Sequence, residues 1–134
     1  MFASATPLQL AVAAGLSLPD AYFRDLAAGY QARRDFLFDA LAACGLKPNK
    51  PAGSFFILTD VSPFGAADGR AFCHELARDV GVAPVPTDTF YLNRRHGERI
   101  VRFTFCQRRE TLETAARHLA QLRAMCGVDK VSSC

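Results

Sequence analysis

The sequence predicts an α+β fold, a two-layer α/β sandwich with helices over one face of a small, mainly antiparallel three-stranded sheet. Two observations lead there. Four stretches carry apolar residues at helical spacing, and three short stretches rich in β-branched and aromatic residues lie among them, at residues 54–60, 82–86 and 100–106. The order helix, helix, strand, helix, strand, strand, helix packs most simply with the helices on one sheet face. The other face is then free for something else.

The first helix spans residues 7–16, with Leu8, Ala11, Val12 and Gly15 on one side. Pro7 suits a first helical position, where its missing N–H has no partner to lose, and Thr6 can cap the turn. Ser17-Leu18-Pro19-Asp20 has the spacing of a capping box and starts a second helix of more than twenty residues, roughly 35 Å long. Its apolar stripe is Phe23, Leu26, Ala27, Tyr30, Leu37 and Leu41, and Gly45 stops it. Residues 48–53, with two prolines and a glycine, read as a turn. Residues 54–60 are almost continuously apolar, which predicts a strand covered on both faces.

Residues 62–69 form a loop, and Asp68 starts a third helix that buries Phe72, Cys73, Leu76, Ala77 and Val80 and ends at Gly81. Pro84 and Pro86 make residues 82–86 an edge strand. Residues 90–97 read as a loop. The clearest strand follows: Val101, Phe103 and Phe105 share one face, and Ile100, Arg102, Thr104 and Cys106 the other. The last helix covers residues 110–125, with Leu112, Ala116, Leu119 and Leu122 inward and Gly127 as its stop. Neither a repeat nor a linker divides the chain. It reads as one domain, with a connecting helix segment at 1–19, a body at 20–126 and a tail at 127–134.

Composition narrows the function. Half of the 134 residues are hydrophobic and eleven are Phe, enough for a core without metal or disulfides. The net charge of +3 comes from scattered residues. The densest basic run, Arg94-Arg95-His96 with Arg99, is interrupted by Glu98, so nucleic acid is not an expected partner. Cys44, Cys73, Cys106, Cys126 and Cys134 make an odd number without a CxxC pair, which predicts a reducing, cytoplasmic setting. His74, His96 and His118 have no paired cysteines near them, so no zinc site is expected. Residues 1–18 lack the basic start and cleavage pattern of a signal peptide. No run approaches the roughly 20 apolar residues needed to span a membrane.

Arg102 is the residue that asks for an explanation. It is a permanent cation in the middle of the most apolar strand, and its planar fork matches a carboxylate. It is either a carboxylate anchor or a solvated residue on the outward side of an antiparallel sheet. No catalytic constellation surrounds it. Ser4, Ser17, Ser54 and Ser62 have no His and Asp arrangement, and the glycine-containing loop at 65–69 fits neither the P-loop nor the Rossmann pattern. Tyr22, Tyr30 and Tyr91 are expected to be packing residues, and Phe55 and Phe56 core residues.

Six motifs in register then point to a family. They are Thr6-Pro7-Leu8-Gln9 followed by Ala11, Tyr30 with Arg33-Arg34-Asp35, Pro51-Ala52-Gly53-Ser54-Phe55-Phe56, Gly81-Val82-Ala83-Pro84-Val85-Pro86, Ile100-Val101-Arg102-Phe103-Thr104-Phe105, and Thr111-Leu112 with Ala115-Ala116. Together they cover roughly residues 6–124. Over that span the chain resembles the C-terminal, small-domain portion of class I/II, fold-type-I aminotransferases, in the methionine and kynurenine aminotransferase-like branch. The resemblance implies an enzyme that transfers an amino group from an amino acid to a 2-oxo acid. It also implies pyridoxal 5'-phosphate as cofactor and a homodimer as the assembly. For Arg102 it implies a grip on the substrate α-carboxylate.

The family's Schiff-base lysine belongs to the large domain, upstream of the Thr6-Pro7 motif, and Lys47, Lys50 and Lys130 lie in the wrong places to replace it. This chain is therefore expected to contribute no catalytic residue, to bind no cofactor by itself and to be inactive alone. A different class of function is a free-standing α/β module that binds a small carboxylate or a protein partner.

Overall fold

The computed structural model describes residues 5–125. Four helices, α1 (Thr6–Leu16), α2 (Asp20–Ala43), α3 (Gly69–Asp79) and α4 (Arg109–Met125), accompany four strands, β1 (Lys47–Asn49), β2 (Phe56–Asp60), β3 (Val85–Pro86) and β4 (Ile100–Thr104). Single 3-10 turns occupy Ser62–Phe64, Asp88–Phe90 and Arg94–His96. The strands form one antiparallel sheet in the order β1-β2-β4-β3. The α+β class is as predicted, but the sheet has four strands rather than three. The added strand lies within a stretch read largely as a turn. Pro48 is tolerated there because β1 is an edge and needs no second ladder partner.

Other boundaries moved for local reasons. Strand β2 starts at Phe56 rather than residue 54, because Ser54 has a positive φ of 70° and breaks the extended backbone. Only Val85 and Pro86 of the predicted 82–86 strand pair with β4. Strand β4 stops at Thr104, although Phe105 still donates its N–H to Phe55 O at 2.9 Å. The capping box at Ser17 does not form. Ser17 Oγ donates back to Ala13 O at 3.0 Å, and α2 begins after Pro19 with no side-chain cap. Thr6 is likewise the first helical residue rather than a cap, while Pro7 sits in the first turn as expected. Asp68 does cap α3, accepting the Ala71 N–H at 2.8 Å. Gly127, Cys126, Cys134 and the tail at 127–134 lie outside the described residues, as does Ser4.

The core sits between the helices and one sheet face. Leu37 and Leu41 of α2, Leu76 of α3, and Leu112 and Leu119 of α4 pack over Ile57, Val101 and Phe103 of β2 and β4. Each such side chain stabilises the fold by about 1.5–3 kcal/mol. The predicted two-sided cover of β2 is not found: Ile57 and Thr59 are buried, whereas Phe56, Leu58 and Asp60 are half-buried. The upper stripe of α2 also differs, since Phe23 and Leu26 are exposed. Ala77 of α3 is exposed as well.

The cysteines follow this layering. Cys44 and Cys73 are buried, and Cys106 is exposed. Burial pushes the Cys73 thiol up to about 11. Native iodoacetamide treatment followed by peptide mass spectrometry is expected to alkylate Cys106 and spare Cys73, since the reagent needs an accessible thiolate. Equal labelling of the two would contradict this burial.

Candidate functional site: the open sheet face

Alternation along β4 turns Val101 and Phe103 into the core and Arg102 to the opposite face. The register sets Leu58 of β2 on one side of Arg102 and Val85 of β3 on the other. Phe56 lies one diagonal away, opposite Thr104. The Arg102 guanidinium carbon stands over the Phe56 ring, 5.1 Å from its centroid, and over the Phe90 ring at 5.3 Å. Beside them is a cavity of about 260 Å³ walled by Phe56, Leu58, Phe90 and Tyr91.

Among the described residues, no carboxylate pairs with Arg102. Asp60 shares its face but is turned to Ser62, which donates from its hydroxyl at 2.6 Å and its N–H at 2.8 Å. Those two hydrogen bonds hold the Asp60 carboxyl below its usual range. A half-buried guanidinium with donors to spare, in a mostly apolar recess, is an arrangement that can accept a carboxylate. Arg102 also borders a larger cleft of about 630 Å³ toward α4. The smaller recess defines the candidate site, because both rings next to the guanidinium line it.

A fixed loop carries Phe90. Thr87 is 2% exposed. Its hydroxyl donates to Ile100 O at 2.8 Å, and its carbonyl receives the Phe90 N–H at 2.9 Å. Asp88 pairs with Arg70 at 3.0 Å. The return of the loop needs Gly97, where a Cβ would collide with the Tyr91 ring and lie 2.8 Å from Thr87 O. Gly97→Ala is therefore expected to destabilise the domain by about 1–3 kcal/mol in chemical denaturation. An unchanged midpoint and slope would refute the close packing.

The site thus joins Arg102, which the sequence singled out, to residues that it did not. Phe56, expected in the core, lies on the open face, and its neighbour Phe55 is exposed. Phe90 lay in a stretch read only as loop. Tyr30 packs edge-on against Phe105 at 6.2 Å, as a packing residue should, whereas Tyr22 is exposed. Among the described residues, the lysines do not fit a pyridoxal phosphate site beside Arg102. Lys47 is exposed on the edge strand, and Lys50 pairs with Asp35 at 3.0 Å over the Phe38 ring. Neither lines the recess beside Arg102. Among the described residues no group of metal-ligating side chains is found, and no helix is long and apolar enough to cross a membrane.

The fold and this face define a small α+β domain that is seen elsewhere. The family model for class I and II aminotransferases matches residues 1–119, and the chain belongs to that family. It is 35% identical over 130 residues to a probable N-succinyldiaminopimelate aminotransferase of Mycobacterium tuberculosis, covering 90% of this chain and 32% of that one. A solved structure of that aminotransferase superposes with a TM-score of 0.79 at 37% identity, over 89% of this chain and 31% of the other. The methionine aminotransferase of Escherichia coli is 32% identical over 121 residues, covering 90% of this chain and 31% of its own length. The Dictyostelium discoideum kynurenine–oxoglutarate transaminase is 32% identical over 142 residues, covering 91% of this chain and 33% of its own. The chain thus spans about a third of the length of these relatives.

Three of the six motifs supply residues at the site: Phe56, Val85 and Arg102. Arg34, in the middle of α2, donates to Pro51 O at 2.9 Å and pairs with Asp35 at 2.8 Å, so the long helix is tied to the turn that leads into β2. The strand motif containing Arg102 is β4 itself.

Proposed function

We propose that this chain is the carboxylate-gripping small domain of a pyridoxal-phosphate-dependent aminotransferase, with Arg102 pairing the α-carboxylate of the amino-acid or 2-oxo-acid substrate. One observation carries the reading: a half-buried guanidinium on the open sheet face, with no carboxylate of the described chain to neutralise it. The fork of Arg suits that task because its charge is fixed at any physiological pH and its two parallel donors select a planar acceptor. The cofactor supplies the electron sink for amino-group transfer, and the rest of the enzyme holds it. This chain then binds and orients substrate but does not transaminate alone. The odd cysteine count supports a cytoplasmic setting, and the homodimer follows from the family resemblance.

Phenylglyoxal, which modifies accessible arginines, tests the reading. Peptide mass spectrometry of the treated chain is expected to show Arg102 protected by maleate, while Arg94 and Arg95 react equally with and without it. Protection absent at Arg102 would overturn the assignment. Incubation with pyridoxal phosphate, methionine and a 2-oxo acid is expected to give no amino-group transfer, and turnover would refute the inactivity of the isolated chain. Carboxylate binding by a chain whose reading frame has no upstream lysine domain would favour the free-standing module.

A further inference from the structure

We propose that Phe56 and Phe90 are positioning residues for Arg102, whose rings hold the guanidinium in place while leaving its N–H donors available for a carboxylate. The proposal rests on the reading of Arg102 as the carboxylate site.

The other stacked cations supply the contrast. Arg33 lies over Tyr30 at 4.6 Å, but it donates to Gly29 O at 3.0 Å and to Gln107 O at 3.4 Å. Arg109 lies over Phe36 at 4.2 Å and pairs with Glu113 at 2.8 Å. Lys50 lies over Phe38 at 5.3 Å and pairs with Asp35 at 3.0 Å. Each of these has an acceptor within the chain. Among the described residues, Arg102 alone has two rings and no acceptor for its guanidinium.

A ring face attracts a cation through its quadrupole, yet it has no lone pair in the plane of the N–H groups. Two rings therefore replace part of the water that Arg102 loses without using up its donors. A side chain restrained before the ligand arrives also has less freedom to lose on binding.

Phe90 is 64% exposed, so burial in the core does not explain its position. Its backbone is nevertheless tied through Thr87 to Ile100, two residues from Arg102. Phe56 is the first residue of β2, and the Phe55 ring meets its ring edge-on, 5.2 Å away at 88°. The fold thus fixes the backbone that carries an exposed ring to the point where it meets the unpaired cation.

The test is NMR on the full 134-residue chain. The Nε–H signal of Arg102, identified by its loss in Arg102→Lys, is followed for water exchange and during titration with sodium maleate at matched ionic strength. In Phe90→Leu and Phe56→Leu the exchange is expected to accelerate and the maleate dissociation constant to rise about two- to fivefold per ring. Phe90→Tyr, which keeps the ring, should restore both values, and a role limited to apolar packing would not need it. The exposure of Phe90 makes its variants safe for the fold, which backbone signal dispersion checks.

Leu variants that match wild type in exchange and affinity, while Arg102→Lys binds more weakly, would overturn the positioning role and leave Arg102 as the carboxylate site. If instead Arg102→Ala bound maleate as wild type does, or wild type did not bind it, the carboxylate reading would fall. The exchange rates would then decide the ring contacts alone: faster exchange in the Leu variants supports them, and unchanged exchange refutes them.

Discussion

Arg102→Ala is expected to lower kcat/KM for amino-acid donors about ten- to 150-fold in an intact relative whose small domain is replaced by this one. A charge-assisted bidentate pair in a partly desolvated recess contributes about 1.5–3 kcal/mol, and each 1.4 kcal/mol is a factor of ten. Arg102→Lys keeps the charge but loses the fork, so a smaller fall is expected. On the proposed reading the carboxylate is held throughout the reaction, so loss of the grip should appear mainly in KM, with any fall in kcat reporting misplacement of the substrate. On the same reading Arg102 grips substrate and the cofactor is held elsewhere in the enzyme, so the absorbance of bound pyridoxal phosphate should stay unchanged. Wild-type kcat/KM in the Ala variant would remove the assignment. Loss of the cofactor signal with the carboxylate preference intact would make Arg102 structural instead.

What the sequence reveals about this site depends on the kind of information each residue carries. Arg102 was visible because period-two alternation is strict, and a cation inside Ile100-Val101-Arg102-Phe103-Thr104-Phe105 violates the apolar pattern around it. The helices were visible because their inward residues repeat at helical spacing, as Phe72, Cys73 and Leu76 do in α3. Strand β1 was hidden because three residues with a proline carry no periodicity, and pairing with β2 alone defines it. Phe56 was misjudged because its neighbours Phe55 and Ile57 are apolar too. A continuous apolar run does not reveal which face lies inward, and only the register with β4 does so. Phe90 was hidden for another reason. Its contact with Arg102 depends on the path of a loop held by Thr87 and Gly97, side-chain and packing ties with no regular spacing.

The isolated chain is expected to self-associate through α1 and the start of α2, and the effect should be large because nothing in the described domain covers them. Leu8, Leu10, Val12 and Leu16 are 61–73% exposed, and no residue of α1 is buried. Leu18, Tyr22, Phe23 and Leu26 continue the patch into α2. Helix α1, TPLQLAVAAGL, has no charged residue, and a helix that is apolar on most sides belongs in an interior. An 11-residue helix is also too short to be stable in water by itself, so association is the available way to satisfy it. Contiguous apolar surface beyond several hundred Å² is rare on monomers. Sedimentation equilibrium across the micromolar range should therefore give a weight-average mass above the 14.6 kDa of one chain. Leu10→Glu with Leu16→Glu should return the mass to that of the monomer and, compared at dilution where the unmodified chain is also monomeric, shift the unfolding free energy by no more than about 0.5 kcal/mol per site, because neither side chain is buried. A monodisperse monomer for the unmodified chain would refute the exposed patch as an association surface. A large loss of stability in the double variant would show instead that α1 packs on the domain, leaving the remaining apolar residues of α2 to account for any association.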